Sequence, residues 1–181
     1  MNIKLKQITK TLPEYKKIRS LYLTAFPADE RAPFSLLASG ARKTNVDWWA
    51  IYNDDIWAGF FYIVNDNDLS YIFYFAIDDY QRGNGLGSAA LQLLQQQYNN
   101  RRLFLAIEEL DKDAANYDER VKRKQFYQHN NFNDLHTRML EGRVIYELMG
   151  IGGSVSKQEY KHLINKWLGL WRFIIPTKIL D

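Results

Sequence analysis

Residues 69–88 read LSYIFYFAIDDYQRGNGLGS, and this stretch decides the fold. Its first part, Leu69–Ile77, is apolar at both alternating positions apart from Ser70, which is the pattern of a central strand covered on both faces. After the turn that follows, apolar residues recur at helical spacing at Leu86, Ala90, Leu93, Leu94 and Tyr98. The sequence therefore predicts a buried strand, a glycine-rich turn and an amphipathic helix, with helices on both faces of the sheet.

The glycine-rich turn is suited to bind a phosphate group. A helix N-terminus presents unpaired backbone N–H groups and the positive end of the helix dipole, and Gly83, Gly85 and Gly87 would let an anion approach. Arg82 adds a cation, so a diphosphate fits this pattern. The dinucleotide motif G-x-G-x-x-G fails because Ser88 takes the third glycine position, and the P-loop lysine is absent. Such a turn can also simply connect a strand with a helix.

The rest of the chain predicts strands and helices around this centre. Strands at Val46–Tyr52 and Ile56–Val64 should form an antiparallel meander with the central strand. Further strands are predicted at 2–9, at 103–107 and, as a hairpin turning at Glu141 and Gly142, at about 132–140 and 143–149. Further helices are predicted at 12–26, 34–40, the charged stretch before Tyr127, and the C-terminal tail.

The composition fits one compact α/β (α+β) domain, residues 1–150, with a mixed, largely antiparallel central sheet and an extra C-terminal amphipathic helical extension, residues 151–181. Zero cysteines exclude a disulfide framework and a cysteine nucleophile. A net charge of +3 over 24 basic and 21 acidic residues does not indicate a nucleic-acid binder. The start, MNIKLKQITK, lacks the apolar region of a secretory signal, so we expect a cytoplasmic protein. The three histidines lack the spacing of a helical metal pair, so no metal site is predicted.

The buried strand followed by Arg82-x-x-Gly85-x-Gly87 at the start of a helix resembles the GNAT superfamily of N-acetyltransferases. The segment FAIDDYQ before the motif is similar to segments in that family, and QFYQHNNF resembles its later Phe-Tyr-x-x-x-Gly-Phe segment. Asn131 stands in place of that glycine, and asparagine tolerates a left-handed backbone well. Arg120 stands where many members carry an asparagine that helps hold the cofactor. The resemblance extends from about residue 2 to 149 and leaves out the tail.

The resemblance implies that acetyl-CoA is the acetyl donor and that the amine attacks the thioester directly in a ternary complex, without an acyl-enzyme. It implies that the backbone of Phe75, Ala76 and Ile77 pairs with the pantetheine arm, while a backbone N–H at the end of this strand polarises the thioester carbonyl. The pyrophosphate would then meet Arg82, Gly83, Asn84, Gly85, Leu86, Gly87 and Ser88. Direct attack fits a chain that lacks cysteine.

Two proton transfers remain, and both have candidate residues. Glu108 and Glu109 follow the strand LFLAI, and one of them is a candidate to accept the proton of the ammonium. Neighbouring strand residues point to opposite faces, so at most one of the two should face the acceptor. Glu30 is a third candidate. The alternative for each of the three carboxylates is a solvated surface charge, and for Glu30 this alternative is favoured over a role in the site. Tyr127 is the candidate that protonates the leaving thiolate; its alternative is an ordinary core aromatic.

Several alternatives remain open. The basic run at 120–124 is expected to be a solvated helix face, or else to reach the 3′-phosphate of CoA. The tail, Lys157–Leu180, is amphipathic and could pack within the protein, which is the commonest fate, or form a homodimer contact or a membrane-surface helix. An acyl-CoA-binding sensor or scaffold without activity and a membrane-surface acyltransferase are the alternatives to an enzyme acting on a small-molecule or peptide amine.

Overall fold

The computed structural model describes residues 1–28, 31–141, 144–169 and 177–180. The chain divides into two compact units. The first consists of Met1–Asn65 and Ile72–Gln97, and the second of Asp66–Tyr71 and Tyr98–Asp181. The central strand thus contributes its first residues to the second unit and its remaining residues to the first.

The first unit contains three strands that pair in series, the end of the central strand, and three α-helices. In chain order its elements are β1 (Ile3–Gln7), α1 (Tyr15–Ala25), α2 (Phe34–Gly40), β2 (Val46–Asn53), most of β3 (Ile56–Asp66), the last part of β4 (Leu69–Ile77), a short 3₁₀-helix (Asp79–Gln81) and α3 (Leu86–Gln97). β1 pairs antiparallel with β2, and β2 pairs antiparallel with β3. The β2–β3 register shifts between Ile51 and Tyr52.

The core of the first unit is rich in aromatic side chains. Tyr22 of α1 is fully buried, and its ring packs edge-on against Tyr74 of β4 at 4.9 Å. The Tyr22 hydroxyl donates a hydrogen bond to the Ala32 carbonyl at 2.6 Å, and the Ala32 N–H donates to the Tyr74 hydroxyl at 3.0 Å. Burial, reinforced by Tyr74, raises the pKa of Tyr22. These two tyrosines fix the chain that enters α2 against β4.

The second unit is built around β5 and the strands that follow it. Its elements are the start of β4, β5 (Arg102–Glu108), α4 (Tyr117–His129), β6 (Asn133–Glu141), β7 (Val144–Ile151), α5 (Lys157–Leu168) and β8 (Thr177–Ile179). Leu69–Tyr71 of β4 pairs parallel with Arg102–Phe104 of β5. The pairs β5–β7, β6–β7 and β6–β8 are antiparallel.

The apolar stripe of the tail packs within the second unit. Side chains of α5 that are at most 6% exposed are Tyr160, Leu163, Ile164, Trp167 and Leu168. Tyr160 lies edge-on against Tyr71 at 5.7 Å, and a Ser156–Glu159 capping box begins the helix. Of the three interpretations of the tail, packing within the protein is the one that the described helix shows. No helix in the described parts of the chain is long and apolar enough to span a bilayer.

The predicted mixed, largely antiparallel sheet with flanking helices is confirmed, with the strand order β1-β2-β3-β4-β5-β7-β6-β8. The bounds of several predicted elements shift by one or two residues, and two helix ends shift further. The first helix begins at Tyr15 rather than Leu12, because a residue before a proline, here Pro13, is disfavoured in the helical conformation. The tail helix ends at Leu168, before Gly169 with φ +56°, and the unpredicted β8 follows. Gly142 of the predicted hairpin turn lies outside the described residues.

Candidate functional site

The glycine turn, residues 82–88, combines left-handed backbone with open space. Gly83 has φ +87° and Gly85 has φ +73°, a conformation that side chains with a Cβ rarely adopt. A Cβ added at either glycine would meet no heavy atom within 4 Å. The Ala89 N–H donates to the Gly85 carbonyl at 3.0 Å, which closes the first turn of α3. The start of a helix directs backbone N–H groups and the positive end of the helix dipole outward, so this turn is suited to bind an anion.

Side chains before the turn fix it to the end of β4. The Asp78 carboxylate accepts the N–H of Tyr80 at 3.1 Å and so caps the 3₁₀-helix. Arg82 donates from Nε to the Ile77 carbonyl at 3.0 Å, and its Nη1 lies 2.8 Å from Asp79 Oδ1. Arg82 therefore holds the loop to the end of β4 and pairs with Asp79, two contacts that the sequence did not predict for it.

The end of β4 is tightly held by β3. An added Cβ at Gly59 would lie 2.2 Å from the Ala76 carbonyl oxygen, so only glycine allows this approach. Phe75 stacks on Phe61 at 4.4 Å, and Ala76 and Ile77 are buried. The side chains of Phe75–Ile77 are thus committed to the first unit. What this segment can offer a ligand is its backbone, and the Ile77 carbonyl already accepts from Arg82.

In the second unit, Glu108 at the end of β5 is a buried carboxylate with three donors. It is 4% exposed, and Arg120 Nη2 and Arg123 Nη1 lie 2.9 and 2.6 Å from its two oxygens. Asn116 Nδ2 donates to the same carboxylate at 3.1 Å. We call these four residues the Glu108 cluster. Burying a carboxylate is tolerated when it is paired and hydrogen-bonded, which is the case here.

Glu109 has different surroundings. Its side chain is 31% exposed, and Arg138 of β6 lies 2.7 Å from Oε1 with a side chain that is itself 46% exposed. The two neighbouring glutamates therefore contact different elements, α4 for Glu108 and β6 for Glu109, as the alternation of a strand leads one to expect. Glu30, the third carboxylate considered from the sequence, lies outside the described residues.

The prediction of a solvated basic face on α4 is only partly right. Lys122 and Arg123 are exposed, but the side chains of Arg120 and Lys124 are 14% and 18% exposed. Lys124 is drawn to Glu147 of β7, with Nζ 2.7 Å from Oε1. The correction arises because acidic partners on the strands cover these two cations, and a helix sequence alone does not show such partners.

Arg120 uses its three nitrogen atoms within the second unit. Nε donates to Asn116 Oδ1 at 2.8 Å and Nη1 to the Glu109 carbonyl at 2.8 Å, while Nη2 pairs with Glu108. This residue stands where the resemblance places a cofactor-holding asparagine. Its donors are instead committed to joining α4 to the end of β5.

Tyr127 lies on α4, half-buried between Phe126 and Phe132, with ring centroids 5.2 and 5.7 Å away. Burial raises the pKa of Tyr127 to about 12, an effect that Arg123 partly opposes. The chain turns just beyond: Asn131 has φ +68°, the left-handed conformation expected of the glycine it replaces, and the Phe132 N–H donates to the Tyr127 carbonyl at 3.0 Å.

The predicted site residues fall into two groups. Phe75–Ile77 and residues 82–88 lie together in the first unit, whereas Glu108, Glu109 and Tyr127 lie in the second. Sequence reasoning missed Asn116 as a partner of Glu108; Asn116 immediately precedes α4, at helical spacing from Arg120, Arg123 and Tyr127. No group of three potential metal ligands occurs in the described part of the chain.

Comparisons with known proteins identify the family and the fold. The family model described as "Acetyltransferase (GNAT) family" matches residues 15–122, more than half of the chain. No curated protein matches. A GNAT-family protein from Bacteroides thetaiotaomicron has a similar structure, with TM-score 0.73, 22% identity, and 91% of this chain and 96% of that chain covered. The ribosomal-protein-S18-alanine N-acetyltransferase of Escherichia coli has TM-score 0.61 and 20% identity, with 87% and 97% covered.

A GNAT-family acetyltransferase from Elizabethkingia anophelis, solved with acetyl-CoA bound, has TM-score 0.58 and 13% identity, with 84% and 99% covered. At these identities the structural neighbours establish the fold. The matched family model contains the glycine turn, β5 and the first part of α4. The chain belongs to the acetyltransferase (GNAT) family.

Proposed function

We propose that this protein transfers the acetyl group of acetyl-CoA to a primary amine by direct attack in a ternary complex. The observation that carries the proposal is the glycine turn, in which two left-handed glycines open onto free space at the start of α3. Backbone N–H groups at a helix N-terminus bind a pyrophosphate well because they combine several donors with the helix dipole. The related protein from E. anophelis binds acetyl-CoA, which supports the same donor here.

The chemistry needs no covalent intermediate on the protein. The amine nitrogen attacks the thioester carbon, the C–S bond breaks, and CoA leaves as a thiolate. The chain has no cysteine that could carry the acetyl group, which supports direct attack. A backbone N–H at the end of the Phe75–Ile77 segment would polarise the carbonyl, while the segment's backbone pairs with the pantetheine arm.

Tyr127 would supply the proton to the departing sulfur. With its pKa raised to about 12, the phenol remains protonated throughout the physiological pH range. It is also a weaker acid than a thiol, whose reference pKa is about 8.5, so full transfer to a free thiolate is uphill. We therefore assign Tyr127 as a donor that hydrogen-bonds to the sulfur as the C–S bond breaks and passes its proton to the forming thiolate; the phenolate that remains regains a proton from water before the next turnover.

Glu109 fits the role of proton acceptor better than Glu108. The Glu108 carboxylate already accepts from two guanidinium groups and one amide. Glu109 is more exposed and pairs with Arg138, whose side chain is itself half-exposed, so solvent or an amine can reach it. Direct transfer or transfer through one water molecule both satisfy this assignment.

The proposal is tested by measuring free CoA thiol released from acetyl-CoA across a panel of amines. The panel should contain polyamines, aminoglycosides, amino acids and a peptide with an N-terminal alanine, since the related E. coli enzyme is named for an alanine acceptor. We expect saturable release of CoA thiol with at least one amine. The mass of the product should exceed that of the amine by about 42 Da, which is the increase that acetylation causes. Binding of acetyl-CoA without release for any amine would instead support a sensor.

A further inference from the structure

The helix that carries Tyr127 lacks the usual apolar anchor. None of the residues of α4 is fully buried, although the helix runs beside β5 in the second unit. Most surface helices are positioned by burying an apolar stripe. In α4, charged side chains position the helix instead. Arg120 and Arg123 pair with Glu108, and Lys124 pairs with Glu147.

The contacts to Glu108 come from one face of the helix. Asn116, Arg120, Arg123 and Tyr127 follow one another at intervals of four, three and four residues, which is the spacing of a single helical face. Three of the four bind Glu108 directly, at 2.6 to 3.1 Å. The fourth is the tyrosine assigned to the leaving sulfur. The carboxylate at the end of β5 therefore fixes the face of α4 that bears the phenol.

We propose that Glu108 is a positioning residue: through Arg120 and Arg123 it holds α4 so that the Tyr127 hydroxyl is set for proton donation. This inference rests on the proposed function. It replaces the hypothesis that Glu108 accepts the proton of the ammonium, because its two oxygens are occupied by three donors. Arg120 strengthens the link by donating also to the Glu109 carbonyl, which ties the helix to the backbone that follows β5.

The charge balance of the cluster also bears on the phenol. Arg123 is close enough to Tyr127 to oppose the rise in its pKa that burial causes. Because Arg123 is paired with Glu108, the tyrosine experiences only part of the guanidinium charge. Loss of Glu108 would thus both release the helix face and leave Arg120 and Arg123 without their counter-charge. A largely buried charge that loses its partner is strongly unfavourable, so the Arg120 side chain would move toward solvent, and the exposed Arg123 would lose the contact that holds it to β5.

A double-mutant cycle tests the proposal in the thiol-release assay with the best amine of the panel. Glu108→Gln should lower kcat on the order of 10-fold or more, with acetyl-CoA affinity by calorimetry nearly unchanged. In a Tyr127→Phe background the same substitution should change kcat less than about threefold, because the group that it positions is already gone. An undiminished loss in that background would overturn the proposal and return Glu108 to an independent catalytic role.

Glu147→Gln is the matched control. Glu147 is also a buried carboxylate that binds α4, but it does so through Lys124, which pairs with Glu147 and Asp134 rather than with Glu108. Both variants should lower the melting temperature, but only Glu108→Gln should lower kcat in a Tyr127-dependent manner. Equal kcat losses for the two variants would show that general docking of α4 matters rather than the Glu108 cluster, and would contradict the proposal.

A readout without turnover separates this proposal from the proposed function. Tyrosine labelled with ¹³C at Cζ gives one NMR signal per residue, and the Tyr127 signal is the one missing in Tyr127→Phe. Glu108→Gln should shift this signal at neutral pH, while Glu147→Gln should leave it nearly in place. An unmoved signal overturns the positioning role even in an inactive protein, whereas a shifted signal with no CoA release for any amine contradicts only the enzymatic proposal.

Discussion

The glycine turn of the first unit and the Glu108 cluster of the second unit are held in place by different kinds of contact. The turn is shaped by backbone: positive φ at Gly83 and Gly85, helix initiation at Leu86, and close approach of β3 to β4 at Gly59. The cluster is shaped by ion pairs, on a helix that buries none of its side chains fully. The glycine turn should therefore tolerate substitutions that change charge but not the replacement of its glycines. The Glu108 cluster should instead be sensitive to substitutions that remove a charge.

The largest expected effect comes from Gly85→Val. Valine strongly disfavours the φ of +73° at this position, and its side chain would enter the open space before α3. Loss of two or more hydrogen bonds to a charged pyrophosphate should weaken acetyl-CoA binding on the order of 10³-fold by calorimetry. Ligand at 100 times Kd, which should stabilise the wild type by roughly 2.7 kcal/mol, should then give almost no shift in melting temperature.

Gly169→Val is the control for backbone strain. Gly169 also has positive φ, +56°, with no heavy atom within 4 Å of an added Cβ, but it ends α5 in the second unit. Gly169→Val should lower the melting temperature about as much as Gly85→Val does, while its affinity for acetyl-CoA stays within about threefold of wild type. Normal binding by Gly85→Val, or an equal loss in both variants, would show that the glycine turn does not hold the cofactor.

The second effect concerns Tyr127, whose ring is kept and whose hydroxyl is removed in Tyr127→Phe. We expect kcat to fall on the order of 10²-fold, with acetyl-CoA affinity and melting temperature nearly unchanged. Because the pKa of this phenol is raised to about 12, it should cause no decline of kcat with pH below about pH 10. Turnover within about threefold of wild type would exclude Tyr127 as an essential proton donor.

The contrast between the two regions also explains what the sequence could predict. Glycine spacing, the apolar run of Leu69–Ile77 and the periodicity of α3 are local signals, and the corresponding elements lie where they were predicted. Asn131 at φ +68° is another local prediction that the structure confirms. Such features depend on a residue's own backbone preferences, so a single sequence is sufficient to read them.

The sequence did not predict which residues the charged side chains contact. Arg120 looked like part of a solvated basic run, yet it contacts Glu108 from a different element. Spacing within α4 identifies which side chains share a face, but it does not show what that face meets. The strand β8 was missed for a similar reason: three residues carry little pattern, and their pairing with β6 is a long-range contact.

The third effect separates the two neighbouring glutamates. Glu109→Gln should lower kcat/KM about 10-fold at pH 7, where a primary amine is mostly protonated and needs a proton acceptor. This loss should shrink as the pH approaches about 9, since more of the amine is then already deprotonated. The loss in Glu108→Gln should not recover, because positioning does not depend on the amine's proton. Parallel pH profiles for the two variants would remove Glu109 as the acceptor.

The smallest effect is an acid-sensitive contact in the second unit. Glu159 begins α5, and its pKa is lowered to about 2, first by the hydrogen bond from Arg102 and then by the N–H and hydroxyl of Ser156. Because the folded pKa lies below the unfolded value of about 4.5, its stabilising contribution is present above that value and is lost as pH falls toward about 2.

Glu159 is partly exposed, with 38% of its side chain accessible, so screening should keep this contribution under about 1 kcal/mol at pH 7. Glu159→Gln should accordingly lower the melting temperature by at most about 2–4 °C at pH 7. The difference in melting temperature between Glu159→Gln and wild type should become smaller between pH 5 and pH 3, and also when salt is added. Asp68 also pairs with Arg102, and its pKa is lowered too, but Asp68 is present in both proteins, so its contribution cancels in the comparison.

The control is Asp55→Asn, which breaks the exposed Lys4–Asp55 pair of the first unit and should shift the melting temperature hardly at all. A difference between Glu159→Gln and wild type that stays constant down to pH 3 would show that the capping box, and not the charge on Glu159, holds the start of α5.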